Sequence, residues 1–427
     1  MANKTLPQGY KDSPLGIIPM EWEVKRLGDI CDYVDYRGKS PNKSSKGIFL
    51  VTAKNIREGY IDYEVSQEFI PIDEFEDTMR RGKAQIGDVL ITTEAPLGHV
   101  AQIDKSNIAL AQRVIKYRAK NGILNTYLKY FLMSEKFQTI LTANATGSTA
   151  LGIKGSRLHQ LPIVFPCIIE QKNILCILNL WDTAIEKQSE LIEKLKLRKR
   201  ALMQQLLTGK KRLPGFSGEW KRIKLGDITE RITRKNEEDN KNVVTISAQR
   251  GFVVQTDFFN KSVASETLDN YYLVHKDEFC YNKSYSNGYP MGAIKRLTAF
   301  DKAVVTTLYI CFKLKELSNI NIDFFEQYCE SGIFNKELVK VANEGGRAHG
   351  LLNVTPSDFF NMHMRIPNIE EQNAIATVLV NADKEIELAN EKLSDLQSQK
   401  RGLMQQLLTG KKRIKELKDY EKRRKQA

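Results

Sequence analysis

The sequence lacks the short motifs on which several enzyme classes depend. It contains no Gly-x-Gly, no P-loop pattern and no Pro-Pro pair. These absences argue against a dinucleotide fingerprint, a glycine-rich methyl-donor loop, a Walker-type phosphate site and the Asn-Pro-Pro-aromatic motif of amino-methyltransferases. The sequence offers no convincing nuclease pattern of a carboxylate pair followed by a lysine. We therefore predict a chain that is non-catalytic and binds no cofactor of its own.

Histidine and cysteine are scarce, and long apolar runs are absent. The five histidines show no zinc spacing, and the six cysteines fall outside any metal-ligand pattern, so reduced, buried thiols are predicted. No apolar run approaches the ~20 residues of a membrane span, and residues 1–16 carry no signal-peptide core. The sequence thus predicts a cytoplasmic protein without a metal site or a membrane anchor. The cysteines are Cys31, Cys167, Cys176, Cys280, Cys311 and Cys329.

One segment of eleven residues occurs twice. Leu-Met-Gln-Gln-Leu-Leu-Thr-Gly-Lys-Lys-Arg fills residues 202–212 and again 403–413, an offset of 201. The same offset relates two Pro-x-x-x-Glu-Gln stretches, at 166–171 and 367–372, and each half opens with Glu-Trp followed by Leu-Gly-Asp-Ile, at 21–30 and 219–228. The intervening segments share almost nothing. The chain is therefore predicted to be two tandem half-proteins with a repeated frame and unlike inserts.

Each half closes with a long segment in which apolar residues alternate at spacings of four and three. A 3.5-residue repeat held this long predicts a helix that supercoils against a partner, and 33 residues would span roughly 50 Å. Prolines before these segments and Gly209 and Gly410 after them predict the helix ends. The seam residues are Ile174, Leu178, Trp181, Ile185, Ile192, Leu195, Leu202 and Leu206 in the first segment, and Ile375, Leu379, Ile386, Leu393, Leu396, Leu403 and Leu407 in the second.

Two packings of these helices fit the seam. Each helix could pack on its own domain as ordinary core, although such helices usually carry a wider apolar stripe. The interpretation that we favour pairs them as an antiparallel coiled coil, with the inserts at opposite ends of a rod and related by a pseudo-two-fold axis. The predicted fold class is α+β. Its parts are mixed α/β domains at residues 1–165 and 211–366 and spacer helices at 166–210 and 367–427, the latter with a basic tail.

The net charge of +13 suggests a polyanionic partner. Residues 411–427 hold nine Lys or Arg against three acids, so about half of the excess could be a solvated helix end. The location of the remaining positive charge is more informative, because basic residues lie beside glycines and hydroxyls in predicted loops of both inserts.

Together these motifs resemble a known family. The doubled Gly-Leu-Met-Gln-Gln-Leu-Leu-Thr-Gly-Lys pattern, with Ala201 replacing the leading glycine in the first copy, the Pro-x-x-x-Glu-Gln helix start and the Trp-x-x-x-x-Leu-Gly-Asp-Ile opening resemble the specificity subunit of type I restriction-modification systems. The resemblance covers nearly the whole chain. It implies that each insert is a target recognition domain that reads one half of a bipartite site in double-stranded DNA.

The resemblance also implies partners. The repeated helices would form a spacer that docks two methyltransferase subunits, with restriction subunits joining afterwards. Those partner subunits would use S-adenosylmethionine, ATP and Mg. Half-sites read from one face of B-DNA lie ~34 Å apart or a multiple of it, the same order as the predicted rod.

In the first insert we predict strands at residues 89–92 and 108–117 and a helix at 124–141. The resemblance places the loop 92–98 at the DNA groove. Glu94 could accept from cytosine N4 or orient a neighbouring arginine, or it is an ordinary solvated turn residue. Lys39, Ser148 and Thr149 suit phosphates. The predicted DNA-binding residues are Lys39, Ser40, Lys54, Asn55, Thr93, Glu94, Gly98, Gly147, Ser148 and Thr149.

In the second insert we predict strands at residues 243–247 and 278–281, followed by loops with different chemistry. The amide of Asn282 or Asn287 suits adenine, and Arg250 or Arg347 suits guanine or phosphate. The tyrosines at 271 and 272 are better interpreted as packing residues. The predicted DNA-binding residues are Arg250, Asn282, Lys283, Ser284, Tyr285, Asn287, Gly346 and Arg347.

Three functions remain open at this point. The first is a non-catalytic DNA-recognition and assembly subunit. The second is a single enzyme that fuses recognition with modification or cleavage, against which the missing motifs and the limited chain length argue. The third is a coiled-coil adaptor with two protein-binding heads, for which the basic charge has no special use. Salt-dependent DNA binding would separate the first from the third.

Overall fold

The computed structural model describes residues 6–36, 41–120, 122–148, 150–256, 268–342 and 352–414. The chain divides into two compact units. The first contains residues 1–188 and 392–427, and the second contains residues 189–391. Each unit therefore combines one insert with a part of both long helices.

The first unit is built from short strands and helices. Its strands are β1 (Tyr10–Lys11), β2 (Ile18–Pro19), β3 (Glu23–Arg26), β4 (Cys31–Asp35), β5 (Ile48–Val51), β6 (Phe69–Ile70), β7 (Val89–Thr93), β8 (Leu97–Gln102), β9 (Ile108–Leu110), β10 (Val114–Ala119) and β11 (Pro162–Phe165). Its helices are α1 (Leu27–Ile30), α2 (Phe75–Thr78), α3 (Asn125–Met133), α4 (Glu135–Ala143), α5 (Gly155–Leu158) and the start of α6 (Ile168–Leu206), which continues into the second unit.

The central sheet of the first unit is antiparallel, in the order β4-β10-β7-β8. Every residue of β7 is buried, as expected for a strand that is covered on both faces. One face of this sheet packs against α3, α4 and the nearby ends of the two long helices, around the buried Phe131 and Phe137. A second, smaller hydrophobic core surrounds β5 and β9. The β3·β11 pair closes the insert just before α6 begins.

Two elements of the first insert that were predicted to be continuous are each interrupted. The predicted helix 124–141 is interrupted at Ser134, whose extended backbone begins a new helix; its hydroxyl accepts from Phe137 N at 3.3 Å and donates to Phe131 O at 2.6 Å. The predicted strand 108–117 is two strands, because Arg113 has a φ of +74° and breaks the extended run. A local side-chain bond and a left-handed residue thus override the apolar pattern.

The second unit repeats this plan. Its strands are β12 (Lys221–Lys224), β13 (Thr229–Ile232), β14 (Val244–Ser247), β15 (Gly251–Val254), β16 (Tyr272–His275), β17 (Phe279–Asn282), β18 (Ala293–Arg296), β19 (Lys302–Val305), β20 (Ile310–Leu314) and β21 (His363–Ile366). Its helices are α7 (Leu225–Ile228), α8 (Ile322–Glu330), α9 (Asn335–Val341), α10 (Pro356–Phe360) and the start of α11 (Ile369–Leu407).

The second central sheet has the order β13-β20-β17-β18 and is antiparallel throughout. It therefore matches β4-β10-β7-β8 strand for strand, with β17 in the place of β7. The β12·β21 pair closes this insert as β3·β11 closes the first: Leu225 N donates to Met362 O at 2.8 Å, and Leu27 N donates to Leu161 O at 2.9 Å. The predicted α+β class of two mixed domains and two long helices is confirmed.

The two long helices are equal in length, at 39 residues each. Every residue named for the predicted seam is buried or half-buried, which fits the coiled-coil prediction. The glycines predicted to end them are confirmed, because Gly209 and Gly410 have φ of +69° and +70° and follow the last helical residues closely.

In the first unit, the start of α6 binds the segment that follows α11. Arg413 donates from Nε and Nη2 to Glu170 Oε1 and Oε2 at 2.6 and 2.7 Å, and Trp22 Nε1 donates to the same carboxylate at 3.3 Å. Further along, Lys400 pairs with Asp182. The partner numbers fall along α11 as they rise along α6, so the two helix segments run antiparallel in this unit.

The second unit contains the reciprocal contacts. Arg212 donates from Nε and Nη2 to Glu371 Oε1 and Oε2 at 2.5 and 2.6 Å, and Lys199 pairs with Asp383 at 2.5 Å. Hydrogen bonding to Glu371 raises the pKa of Arg212 above its ordinary value. The repeated arginine of each copy thus binds the repeated glutamate of the other copy, which explains why both residues recur at the same offset.

The glutamine that follows each of these glutamates joins its helix to the insert. Gln171 accepts from Leu124 N at 2.9 Å and donates to Pro166 O at 2.8 Å. Gln372 accepts from Asn321 N at 3.0 Å and donates to Pro367 O at 3.0 Å. The Pro-x-x-x-Glu-Gln motif therefore fixes each long helix both to its insert and to the opposite helix.

We expect Glu371→Ala to destabilise the second unit by about 2 kcal/mol, because the charge-assisted hydrogen bonds from Arg212 to this buried carboxylate are lost. The Glu371 side chain is 1% exposed. Glu385→Ala is the matched control: Glu385 lies on the same helix and pairs with Arg198, but both side chains are about half exposed, so its loss should cost at most about 1 kcal/mol. Urea unfolding, monitored by hydrogen exchange, would measure the free energy of unfolding of both variants. Equal losses of stability would contradict the structural role of Glu371.

The thiols are only partly as predicted. Cys31, Cys280 and Cys311 are buried, and Cys329 is half-buried, but Cys167 and Cys176 are exposed near the start of α6. The prediction of buried thiols is therefore wrong for the last two. Cysteine in an amphipathic helix gives no sign of which side faces solvent.

Candidate nucleic-acid interface

The predicted loop of the first insert is a three-residue turn. Thr93 ends β7 and pairs with Leu97 at the start of β8, so residues 94–96 alone connect the strands. Gly98 has a φ of +79°, and a Cβ at this position would lie 2.5 Å from Gln138 Oε1. Gly98 therefore lies close against α4, and its left-handed backbone conformation favours glycine. Glu94, in contrast, is half exposed at the turn.

A second loop lies against this turn. Glu94 forms a backbone bridge with Gly152, and Ile153 N donates to Thr93 O at 2.9 Å. Thr146 and Gly152 exchange two backbone hydrogen bonds of 2.8 and 2.9 Å, which closes the loop between them. Gly147, with a φ of +129°, has no room for a Cβ, which would meet Ala150 O at 2.1 Å. The fold therefore brings the predicted residues at 94 and 147–148 together, and Ser148 is exposed there.

Arg113 belongs to the same cluster and was not predicted from the sequence. Its Nε lies 2.5 Å from Glu94 Oε1, and half of its side chain is exposed. The only sequence signal was the Gln-Arg pair that interrupts the apolar run at residues 108–117. That signal was not enough to distinguish a break from a half-exposed strand.

Two predicted contacts of the first insert are structural residues. Asn55 is fully buried; its Oδ1 accepts from Thr52 N and Oγ1 at 2.9 and 2.8 Å, and its Nδ2 donates to Asp62 O at 3.0 Å. Thr93 is 2% exposed, and its hydroxyl donates to a backbone carbonyl. Neither side chain reaches solvent, so both assignments are corrected. Lys54 is exposed, whereas Lys39, Ser40 and Thr149 lie outside the described residues.

The second unit presents a corresponding cluster at the end of β17. Asn282 is the last residue of this strand; its Nδ2 donates to Ile246 O at 3.2 Å and its Oδ1 accepts from Ser284 N at 3.0 Å. Lys283 follows, and its carbonyl accepts from Leu352 N at 3.1 Å. The Asn282 amide thus holds the loop in place, and Lys283 is the next side chain of this loop.

The loop after β17 also contacts the β14–β15 turn. Gln249 Nε2 donates to Asn287 O at 2.9 Å, which brings the neighbouring Arg250 and the loop together. Both Arg250 and Asn287 are exposed, and Tyr285 is 68% exposed, unusually high for an aromatic side chain. Such a side chain beside basic residues suits contact with phosphate or sugar. Gly346 and Arg347 lie outside the described residues.

The two clusters occupy equivalent places but differ in charge. Each follows the third strand of a four-stranded sheet of the same order, and each is held by the segment that leads to the closing strand pair. The first residue after β7 is Glu94, and the first after β17 is Lys283. A carboxylate paired with Arg113 therefore stands where the other unit has Lys283, so the two clusters are suited to different base edges.

Buried charges elsewhere in the two sheets are paired. Arg118 binds Asp88 through two hydrogen bonds of 2.7 and 2.8 Å, and Lys116 lies 3.6 Å from the same carboxylate. Burial lowers the pKa of Lys116, and the charge of Asp88 opposes that shift. In the second unit, Lys295 pairs with Glu330 at 2.6 Å. These groups join a strand to the start of a neighbouring strand or to a helix, and they show no arrangement of a nucleophile with a base.

Within the described ranges, no group of three or more His, Cys, Asp or Glu side chains is placed to hold a metal ion. No helix in the described part of the chain combines the length and apolar character that crossing a membrane requires.

Comparisons with known proteins agree with this organisation. The family model of the type I restriction modification DNA specificity domain matches twice, at residues 19–197 and 217–398. The MjaIX specificity subunit of Methanocaldococcus jannaschii is 30% identical over 200 residues, which span 44% of this chain and 45% of that relative. The MjaVIII specificity subunit of the same organism is 23% identical over 431 residues, with 94% and 95% covered.

A solved structure has a similar fold. It is a chain from a structural study of complex assembly and conformational transition of the type I R-M system. The alignment has a TM-score of 0.55 at 16% sequence identity and covers 92% of this chain and 99% of that one. The match extends across both inserts and both long helices.

Proposed function

The chain belongs to the type I restriction-modification DNA specificity family, and we propose that it reads an asymmetric, bipartite DNA site with one insert for each half-site. It is a non-catalytic specificity subunit. The observation that carries the proposal is the pair of clusters at equivalent strand ends, with Glu94 in one and Lys283 in the other. Two readers with one frame but different side chains at these strand ends select different bases.

The charge distribution supports contact with DNA. Lys54, Arg250 and Lys283 are exposed or half-buried in or beside the candidate loops. Cations at such positions neutralise phosphates and release counterions, which gives affinity without sequence preference. Groups such as the Glu94–Arg113 pair and the amide of Asn287 then supply the discrimination between bases.

The outer faces of the long helices support the proposal that this chain assembles with other subunits. Ile169 and Leu180 on α6 are 67% and 61% exposed and lie eleven residues apart in the first unit. Eleven residues are about three helical turns, so the two side chains lie on the same side of the helix and form one apolar surface. We assign it to docking of two methyltransferase subunits, with restriction subunits joining in the full complex. The proposal leaves S-adenosylmethionine, ATP and Mg to those partners and places the complex in the cytoplasm.

Methylation mapping tests the proposed function. The chain is expressed with its methyltransferase partner in cells that lack other modification systems, and modified sites are sequenced. We expect two unlike half-sites separated by a fixed number of unspecified base pairs. Binding of the complex to this DNA should weaken steeply with salt. A single contiguous motif would contradict the bipartite site. Binding indifferent to salt would contradict DNA recognition and favour a protein adaptor.

A further inference from the structure

The Glu94–Arg113 pair differs from an ordinary surface ion pair in its backbone. Exposed ion pairs usually contribute little to folding stability, so stability alone does not explain this pair. Yet Arg113 has a φ of +74° and Ala95, next to Glu94, has a φ of +42°. Non-glycine residues rarely adopt this conformation, and it persists where the surroundings enforce it, often at ligand-binding positions.

Buried Thr93 enforces that conformation. Its backbone N–H donates to Arg113 O at 2.9 Å and its hydroxyl donates to the same oxygen at 3.3 Å. Thr93 is in turn held by Ile153 N, which donates to Thr93 O at 2.9 Å. The start of the Arg113 side chain is therefore fixed by the sheet, and Glu94 fixes its far end through Nε.

The pair leaves donors available. A guanidinium carries five N–H groups in a rigid fork, and one carboxylate engages at most two of them. The Arg113 side chain is 51% exposed, so DNA could approach it from solvent. Arg113 also neutralises Glu94, which would otherwise be repelled by DNA phosphates at this position.

We infer that Arg113 reads a guanine in the first half-site and that Glu94 positions its guanidinium, an inference that rests on the proposed function. A fixed arginine fork bonded to guanine O6 and N7 is the commonest specific side-chain contact in the major groove. Glu94 then acts through Arg113 and contacts no base itself. At the equivalent place in the second unit, Lys283 needs no such partner, because it is itself a cation.

Arg113→Gly is the informative variant. Glycine accepts a positive φ without strain, so the change removes the side chain while the turn keeps its conformation. The full chain, assembled with its methyltransferase subunits, is tested on DNA in which each base pair of the first half-site is varied. The parent should prefer one base pair at one position by roughly 5- to 150-fold, and Arg113→Gly should lose that preference alone. An unchanged thermal melting temperature shows that the variant folds.

Two further variants separate positioning from direct contact. Arg113→Lys keeps the charge but not the fork, so overall affinity should persist while the base preference is lost. Glu94→Gln should weaken the preference at the same position as Arg113→Gly, because the arginine is no longer held. A preference lost at a different position would show that Glu94 reads its own base, and the positioning role would be overturned.

The control is Lys283→Ala, which should leave every preference in the first half-site intact. If Arg113→Gly weakens binding equally on all sequences and reduces the salt slope by about one unit, Arg113 contacts a phosphate and the inference is wrong. Unchanged binding would also overturn it. A parent complex that shows no half-site preference would instead overturn the proposed function, and this inference with it.

Discussion

One heptad added to both long helices should move the methylated DNA site to a longer spacer, with both half-sites unchanged. The insertions are placed after Gln188 in α6 and after Glu391 in α11, where the chain passes from one compact unit to the other. Seven residues keep the seam in phase and add roughly 10 Å to each helix. At ~3.4 Å per base pair, the spacer should gain about three base pairs. Methylation-site sequencing measures the change directly.

The control is the same insertion in a single helix. It shifts one helix by two turns against the other, so the antiparallel contacts of Glu170 with Arg413 and of Glu371 with Arg212 cannot both form. We expect a destabilised protein that modifies no site. A double insertion that keeps the parental spacer would show that the helices do not set the distance between half-sites.

The ends of the long helices could be predicted from the sequence because their signals are local. Proline stops the preceding strand, a 3.5-residue apolar repeat continues for many turns, and Gly209 and Gly410 take the left-handed conformation that terminates a helix. Each of these signals lies within a few residues of the feature that it determines. The repeat then places the same features in the second half.

The reason for the repeated arginine could not be predicted in this way. Arg413 binds Glu170 across 243 residues of sequence, and Arg212 binds Glu371 across 159. Recurrence at a constant offset shows that both residues matter, but it does not distinguish a contact within one copy from a contact between copies. Only the antiparallel packing within each unit decides between them.

The candidate sites show the same limit for side chains in loops. Asn55 and Lys54 are neighbours in a polar stretch, yet Asn55 is fully buried and Lys54 is exposed. Which of two polar residues satisfies the backbone of its own loop depends on how the chain turns, and composition does not reveal that. Arg113 was missed for a related reason, since nothing in its neighbourhood signals a positive φ.

A chain carrying the second unit's insert twice should recognise the second half-site twice and the first not at all. The design replaces residues 21–182 with residues 219–383, so that both junctions fall on residues common to the two halves, a glutamate and an aspartate. The parental site then loses one half, and since each mismatched base pair costs ~1–3 kcal/mol, affinity for it should fall about 100-fold or more. Methylation mapping and competition binding check both results.

The design should fold because the transplanted insert meets an identical surface. In the second unit it packs on Met203, Leu206 and Leu207, and in the first unit the same eleven-residue segment presents Met404, Leu407 and Leu408. The transplanted Glu371 would find Arg413 as it now finds Arg212. Recognition in both places should follow Lys283 rather than Glu94, because the side chains at the strand ends differ while the frame that holds them is the same. If the first half-site were still read, recognition would reside in the frame.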